Sequence, residues 1–214
     1  MSRAVARDRR IPLGAYYTPP ALAAALVADA AAMLRGRRVL EPGVGGGSFA
    51  RPLYRLPDVY VIGCDLNPAA SGLADSHAGI VGSVLDLDLD ALGVSAVVGN
   101  PDYGIAQEVA EHALTAGSVE HVFLLLRLAF LESQKRVPFW RRWPPRRVSV
   151  LSSRAHFTAD GRSDSAAYAW FHWDRSGLET RLTWIHSPDG RRWAHPPDAE
   201  PAPEPAEPRS LFTP

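Results

Sequence analysis

Apolar residues along the chain fall into short runs bounded by glycine, proline and charged residues, and runs of this length suit strands better than helices. Residues 37–41 (RRVLE), 59–65 (VYVIGCD), 79–84 (GIVGSV), 95–99 (SAVVG), 121–126 (HVFLLL) and 148–152 (VSVLS) are of this kind. Helical stretches lie between them. The alanine-rich segment 20–34 is opened by Thr18 as a hydroxyl N-cap with Pro19 at the first helical position, and Gly36 stops it. Asn67-Pro68 opens a further helix, and 105–116 forms another. Segments 167–173 and 182–186, with 175–177 as the turn between them, predict a closing hairpin. Strands alternating with helices predict an α/β fold whose parallel sheet is covered on both faces. In such sheets ligands sit beyond the carboxyl ends of the strands.

A length of 214 residues suits one domain with tails. Residues 1–12 read as a basic flexible arm (Arg3, Arg7, Arg9, Arg10) and 13–190 as the domain. Residues 191–214 read as a disordered acidic tail, because seven prolines stand among the last nineteen positions beside Asp198, Glu200, Glu204 and Glu207. Apolar residues make up 46% of the chain, which excludes wholesale disorder, and no apolar run approaches a membrane span. The single cysteine, Cys64, excludes an internal disulfide framework and is expected in the core. The basic N-terminus lacks an apolar signal core, so the expectation is a cytoplasmic protein. Net charge is zero, with 23 Lys+Arg against 23 Asp+Glu, but residues 135–154 hold seven cations and no acid. Neutrality therefore does not exclude a polyanionic partner.

Three strand ends carry unusual residues: Glu41-Pro42-Gly43, Asp65-Leu66-Asn67 and Asn100-Pro101-Asp102-Tyr103. Gly43, Gly45, Gly46 and Gly47 follow the first strand, where glycine permits positive φ and close approach of backbone to a ligand. Asp65 ends the second, where an acid accepts both hydroxyls of a ribose. Together they indicate a nucleoside ligand. Gly45-x-Gly47-x-x-Ala50, with Asp65 twenty residues beyond Gly45, also fits a loose dinucleotide fingerprint, so NAD is one reading. Glu41 speaks against it, since a pyrophosphate disfavours a neighbouring carboxylate and a cationic amino-acid ligand favours one.

Tyr16-Tyr17-Thr18-Pro19, Leu40-Glu41-Pro42-Gly43-Val44-Gly45-Gly46-Gly47-Ser48-Phe49, Gly63-Cys64-Asp65-Leu66-Asn67-Pro68 and Asn100-Pro101-Asp102-Tyr103 stand in the order of four family motifs. With them the chain resembles class I S-adenosylmethionine-dependent methyltransferases, within the adenine-N6 DNA group, and is similar to small phage and prophage enzymes over about residues 14–186. The resemblance implies a Rossmann-like, doubly wound, mostly parallel seven-stranded sheet with a closing antiparallel hairpin. It implies S-adenosylmethionine as cofactor, held by Tyr17, Thr18, Pro19, Glu41, Gly43, Gly45, Gly47, Asp65, Leu66 and Asp86. It implies methyl transfer to adenine N6 of DNA, duplex or single-stranded, through Asn100, Pro101, Asp102 and Tyr103. Two positions depart from the pattern. Asp102 stands where the family has a second proline, and Ser83 where the third strand usually ends in an acid for the adenine, with Asp86 three residues on.

The chemistry also follows from the residues. An adenine amine is a poor nucleophile because its lone pair is conjugated with the ring. The Asn100 side-chain oxygen and the Pro101 carbonyl would accept its two N–H groups and free the lone pair; acceptors placed where positive charge develops contribute a few kcal/mol. Tyr103 would stack on the base, at about 1–3 kcal/mol. Phe157, in the loop 153–165, resembles the family residue that stacks on the other face of the base. Arg141, Arg142, Arg146 and Arg147, interleaved with Trp140 and Trp143, suit a phosphate-facing surface. The plain alternatives are an Asn-Pro turn with a core tyrosine, a core phenylalanine and a solvated arginine loop. The seven histidines (77, 112, 121, 156, 172, 186, 195) show no ligand spacing, and no metal is expected. Two other functions compete: a methyltransferase-fold binding module with weak or lost catalysis, favoured by Asp102 and Ser83, and methylation of an RNA adenine or a protein glutamine.

Overall fold

The computed structural model describes residues 17–157, 166–176, 179–188, 190, 191 and 193. The expectations for the arm (1–12), Tyr16, the tail from 194 onward and loop residues 158–165 lie outside these. In chain order the elements are α1 (Pro20–Leu34), β1 (Arg38–Pro42), α2 (Ala50–Tyr54), β2 (Tyr60–Asp65), β3 (Ala78–Val81), β4 (Ala96–Gly99), α3 (Ala106–Thr115), β5 (His121–Arg127), α4 (Val137–Arg142), β6 (Arg147–Leu151), β7 (Tyr168–Asp174) and β8 (Arg181–Ile185). The strands form one sheet in the order β3-β2-β1-β4-β5-β7-β6-β8. All neighbours are parallel except β7, which runs antiparallel to both β5 and β6.

Near-continuous apolar strands require cover on both faces, and the core divides accordingly. Val39, Val61, Val98, Phe123, Leu125 and Trp170 pack with α1 and α2. Their strand neighbours Leu40, Ile62, Val97, Leu124, Leu126 and Phe171 pack with α3 and α4. Cys64 is buried in that second core, as expected. No described helix is long and apolar enough to cross a membrane.

Three local expectations are corrected. The sheet has eight strands, and 167–173 and 182–186 do not pair as a hairpin. β7 instead lies between β5 and β6, and β8 joins the far side of β6 in parallel register. Burial explains the choice: β7 carries Trp170 on one face and Phe171 and Trp173 on the other, all fully buried, whereas Leu182 and Trp184 of β8 are 57% exposed and suit an edge. No helix follows Asn67-Pro68. The Asn67 side chain accepts the Ala69 N–H at 3.0 Å, and only a single 3₁₀ turn, Ser71–Leu73, follows. Thr18 is not the N-cap of α1: Pro19 occupies the cap and Pro20 the first turn, leaving the Thr18 hydroxyl for another partner.

The strand order reverses between β1 and β4, so the crevice of this sheet opens beyond their carboxyl ends. Gly99 lets the two ends close together; a Cβ there would stand 3.2 Å from Pro42 Cδ and 3.5 Å from Glu41 Cγ.

Candidate active site

The residues singled out at the ends of β1, β2 and β4 converge on this crevice. Glu41 is only 2% exposed. Burial pushes its pKa well above the usual carboxylate range, against the backbone N–H groups of Phe49 and Ala50 that its carboxylate accepts. Its Oε2 is buried with no hydrogen-bond partner among the described residues. The turn that follows has Gly43, Gly45 and Gly47 at φ of 67°, 45° and 76°, a region closed to most side chains. Gly43 faces open space: a Cβ there would meet nothing within 4 Å. Gly47 is needed for a second reason. A Cβ on it would meet Asp75 Oδ2 at 2.5 Å and Gly72 Cα at 3.0 Å. Gly72 was not anticipated, and its N–H donates to the Gly45 carbonyl at 2.9 Å, locking the turn onto the Ser71–Leu73 segment.

Asp65 clamps the same turn. Its Oδ2 accepts the Gly45 N–H and its Oδ1 the Asn67 N–H, both at 2.8 Å. Leu66 beside it is 62% exposed, as is Val81 across the β2–β3 pair at 57%. Asp86 is exposed, and Ser83 caps the turn Val84–Asp86 by accepting the Leu85 N–H at 3.2 Å. The Tyr17 ring lies over the glycines, 3.3 Å from where a Cβ on Gly45 or Gly46 would stand. Burial, and then the nearby Asp65 charge, raise the Tyr17 pKa.

Asn100 follows β4. Its Nδ2 donates to the Thr18 hydroxyl at 3.1 Å, across 82 residues of sequence. Thr18 is buried, so this contact ties the Asn100 amide to the segment just ahead of α1. Pro101 is buried behind it. Asp102 is exposed, and its Oδ1 accepts the Gly104 N–H at 2.7 Å. A hydrogen-bonded turn thus replaces the rigidity that a proline ring would give. Tyr103 is partly buried; burial drives its phenol pKa well up, and its hydroxyl neighbours Tyr168 and Asn100. The Arg127 guanidinium covers its ring at 5.1 Å. Arg127 ends β5, and neither it nor Tyr168 was anticipated. A charged residue closing a strand of five buried apolar residues was the available signal for Arg127.

Two expected contributors lie elsewhere. Phe157 is 2% exposed and packs in the core with its ring 4.6 Å from Tyr168, so it presents no face to the crevice. Arg146 and Arg147 stand at the start of β6, at the opposite edge of the sheet from the crevice. Arg147 is paired with Asp29 of α1. Arg146 donates to the Glu179 carbonyl at 3.0 Å and lies 3.9 Å from Asp174. Arg141 and Arg142 are exposed at the end of α4, just ahead of β6, with Arg142 over Trp143 at 5.2 Å. On the crevice edge the exposed cation after β6 is Arg154, which lines a cavity of about 220 Å³ with Ser152, Ser153 and Tyr168.

The sequence matches no protein-family model and no curated protein. Solved structures match the fold. A protein from Pyrococcus horikoshii proposed to be an RNA methyltransferase gives a TM-score of 0.62 at 15% identity, over 79% of this chain and 91% of its own. A proposed class I S-adenosylmethionine-dependent methyltransferase from Listeria monocytogenes gives 0.59 at 15% identity, over 84% of this chain and 68% of its own. The M protein of the type I restriction enzyme EcoKI gives 0.58 at 14% identity, over 76% of this chain and 44% of its own. The chain therefore has the fold of class I methyltransferases.

Proposed function

We propose that the chain is an S-adenosylmethionine-dependent methyltransferase acting on adenine N6 of DNA. The observation that carries this reading is the Thr18–Asn100 hydrogen bond, which ties the amide at the end of β4 to the segment ahead of α1, beside the glycine turn.

The residues present suit the cofactor. The buried, unpartnered Glu41 Oε2 is an acceptor matched to an ammonium group. Each Asp65 oxygen already accepts one N–H and keeps capacity for a ribose hydroxyl. Leu66 offers an exposed apolar surface to an adenine, and Asp86 is exposed in the turn that follows β3. Gly43 leaves room at the turn, the Tyr17 ring lies against Gly45 and Gly46, and Thr18 and Pro19 follow it in the chain. When bound, the cofactor supplies an electrophilic methyl group on a sulfonium.

The chain's own residues prepare the amine. Asn100 Oδ1 and the Pro101 carbonyl accept its two N–H groups, in the manner of an oxyanion hole with the sign reversed. Tyr103 receives the base on its ring. Arg127 covers one face of that ring and donates through Nε to the Tyr168 hydroxyl at 3.4 Å, so the base stacks there once the guanidinium has moved aside. The displaced guanidinium is then placed to meet a phosphate. Asp102 holds the turn rather than entering the chemistry.

Incubation with tritiated S-adenosylmethionine and DNA, RNA or protein, followed by digestion, tests the reading. Labelled N6-methyldeoxyadenosine is expected from DNA. Label in RNA adenine or in glutamine instead would reassign the substrate. Retained S-adenosylhomocysteine binding without any label would favour the binding module, for which the use of Ser83 as a turn cap already speaks. Asn100→Ala is expected to lower turnover about 10²-fold or more at unchanged S-adenosylhomocysteine affinity. Thr18→Val, which replaces the hydroxyl with a methyl group, is expected to lower it about fivefold, in line with about 1 kcal/mol for one hydrogen bond.

A further inference from the structure

We propose that His121, His172 and Asp174 form a binding site for a divalent transition-metal ion, zinc foremost, at the amino-terminal edge of the sheet. The proposal is independent of the methyltransferase reading. The antiparallel register of β5 and β7 sets His121 opposite Asp174 and Phe123 opposite His172, which puts all four side chains on one face. His121 Nδ1 lies 3.2 Å from His172 Nε2, and one donor atom from each of the three residues lies within 4.8 Å of the others. Zinc–nitrogen bonds of about 2.0–2.1 Å at tetrahedral angles set ligand atoms roughly 3.3 Å apart. The imidazole pair already has that spacing. The carboxylate needs a side-chain adjustment on the order of 1 Å, small against the reach of an aspartate.

The donors are held in place by their surroundings. The His172 ring is buried and stacked on Phe123, centroids 4.1 Å apart and 4° from parallel. Asp174 Oδ1 accepts the Ser176 N–H at 2.9 Å, which orients the carboxylate and leaves its other oxygen for an ion. The nearby cations do not forbid a further positive charge. Arg37 is paired with Glu120 at 2.9 Å and Arg147 with Asp29. Arg146 stands 3.9 Å from Asp174 Oδ2 and is the group an ion would displace. Ligation requires the imidazole protons on His121 Nε2 and His172 Nδ1, a change of tautomer that releases no proton. Three protein donors leave a fourth position for water. The ion would tie β5 to β7, at the end of the sheet remote from Asn100. Sequence spacing concealed the set because its members stand 51 and 53 positions apart, at 121, 172 and 174.

The test uses the full chain stripped with a chelator. Zinc titration against a chromophoric competitor is expected to give one ion per chain at micromolar affinity or tighter, with a rise in melting temperature. Cobalt in place of zinc is expected to show the visible bands of nitrogen and oxygen ligation, without the thiolate charge-transfer band that Cys64 would give. His121→Gln and His172→Gln are each expected to weaken binding at least about tenfold. His121 is only half-buried, so its variant decides the matter if the His172 variant fails to fold. Absence of stoichiometric uptake, equal uptake by His121→Gln and the natural chain, or a thiolate band would overturn the proposal.

Discussion

Glu41 is a carboxylate where a carboxylate is costly. Burial favours its neutral form, the N–H groups of Phe49 and Ala50 oppose that, and burial prevails. Its folded pKa therefore lies above its unfolded one. For such a group the stabilisation is fully present below the unfolded glutamate range and is lost as pH rises through the folded value. Glu41→Gln is accordingly expected to raise the melting temperature at neutral pH, about 2–4 °C for each kcal/mol relieved, and to give no gain near pH 4. The same variant is expected to weaken S-adenosylhomocysteine binding by losing the acceptor for its ammonium. Scanning calorimetry at the two pH values and a binding titration check both halves. A gain in stability paired with a loss of affinity is what separates a ligand-binding carboxylate from a structural one.

At the scale of elements, the glycine turn and the Ser71–Leu73 segment are one unit. A Cβ on Gly72 would come within 2.7 Å of Gly47 N and Cα, both backbone atoms with nowhere to retreat. Gly72→Ala is therefore expected to destabilise the fold by about 1–3 kcal/mol and to weaken cofactor binding, although Gly72 is remote in sequence from the turn. Thermal melts and the same titration read this out. The contrast between Gly47 and Gly72 shows how far the sequence was legible. Gly47 belongs to a dense local motif, so its role could be read; Gly72 answers to a backbone that lies over it, which no local pattern displays. The same distinction runs through the site. Glu41, Asp65 and Asn100 were visible because they end apolar runs. The partner of Thr18 lies 82 positions away, and Phe157 and Arg147 were misplaced because Tyr168 and Asp29 hold them from other parts of the chain. Strand positions were readable from the apolar runs themselves. The seat of β7 was not, since pairing depends on which strand buries both faces.

For the whole molecule, the distribution of positive charge between the two sheet edges decides how nucleic acid would lie. Arg146 and Arg147 are engaged at the edge away from the crevice, whereas Arg127 and Arg154 border it. Replacing Arg127 and Arg154 with Ala is expected to reduce the slope of log affinity for DNA against log salt by up to about 2, at about 0.9 for each phosphate no longer neutralised. The Arg146 and Arg147 pair of substitutions is expected to leave that slope unchanged, and binding isotherms over a salt series distinguish the two sets. The placement of β7 also bears on how the protein comes into being. β5 carries five consecutive buried apolar residues, and on one side its partner is β7, whose first residue is the forty-first after the end of β5 at Arg127. At about 5–20 residues per second, a ribosome takes roughly 2–8 seconds to make that stretch. Throughout this interval the nascent chain carries an open, oily strand edge able to pair with any other extended segment it meets. Sheet closure thus waits on the late synthesis of a single strand, and the danger of misassembly is concentrated in those few seconds.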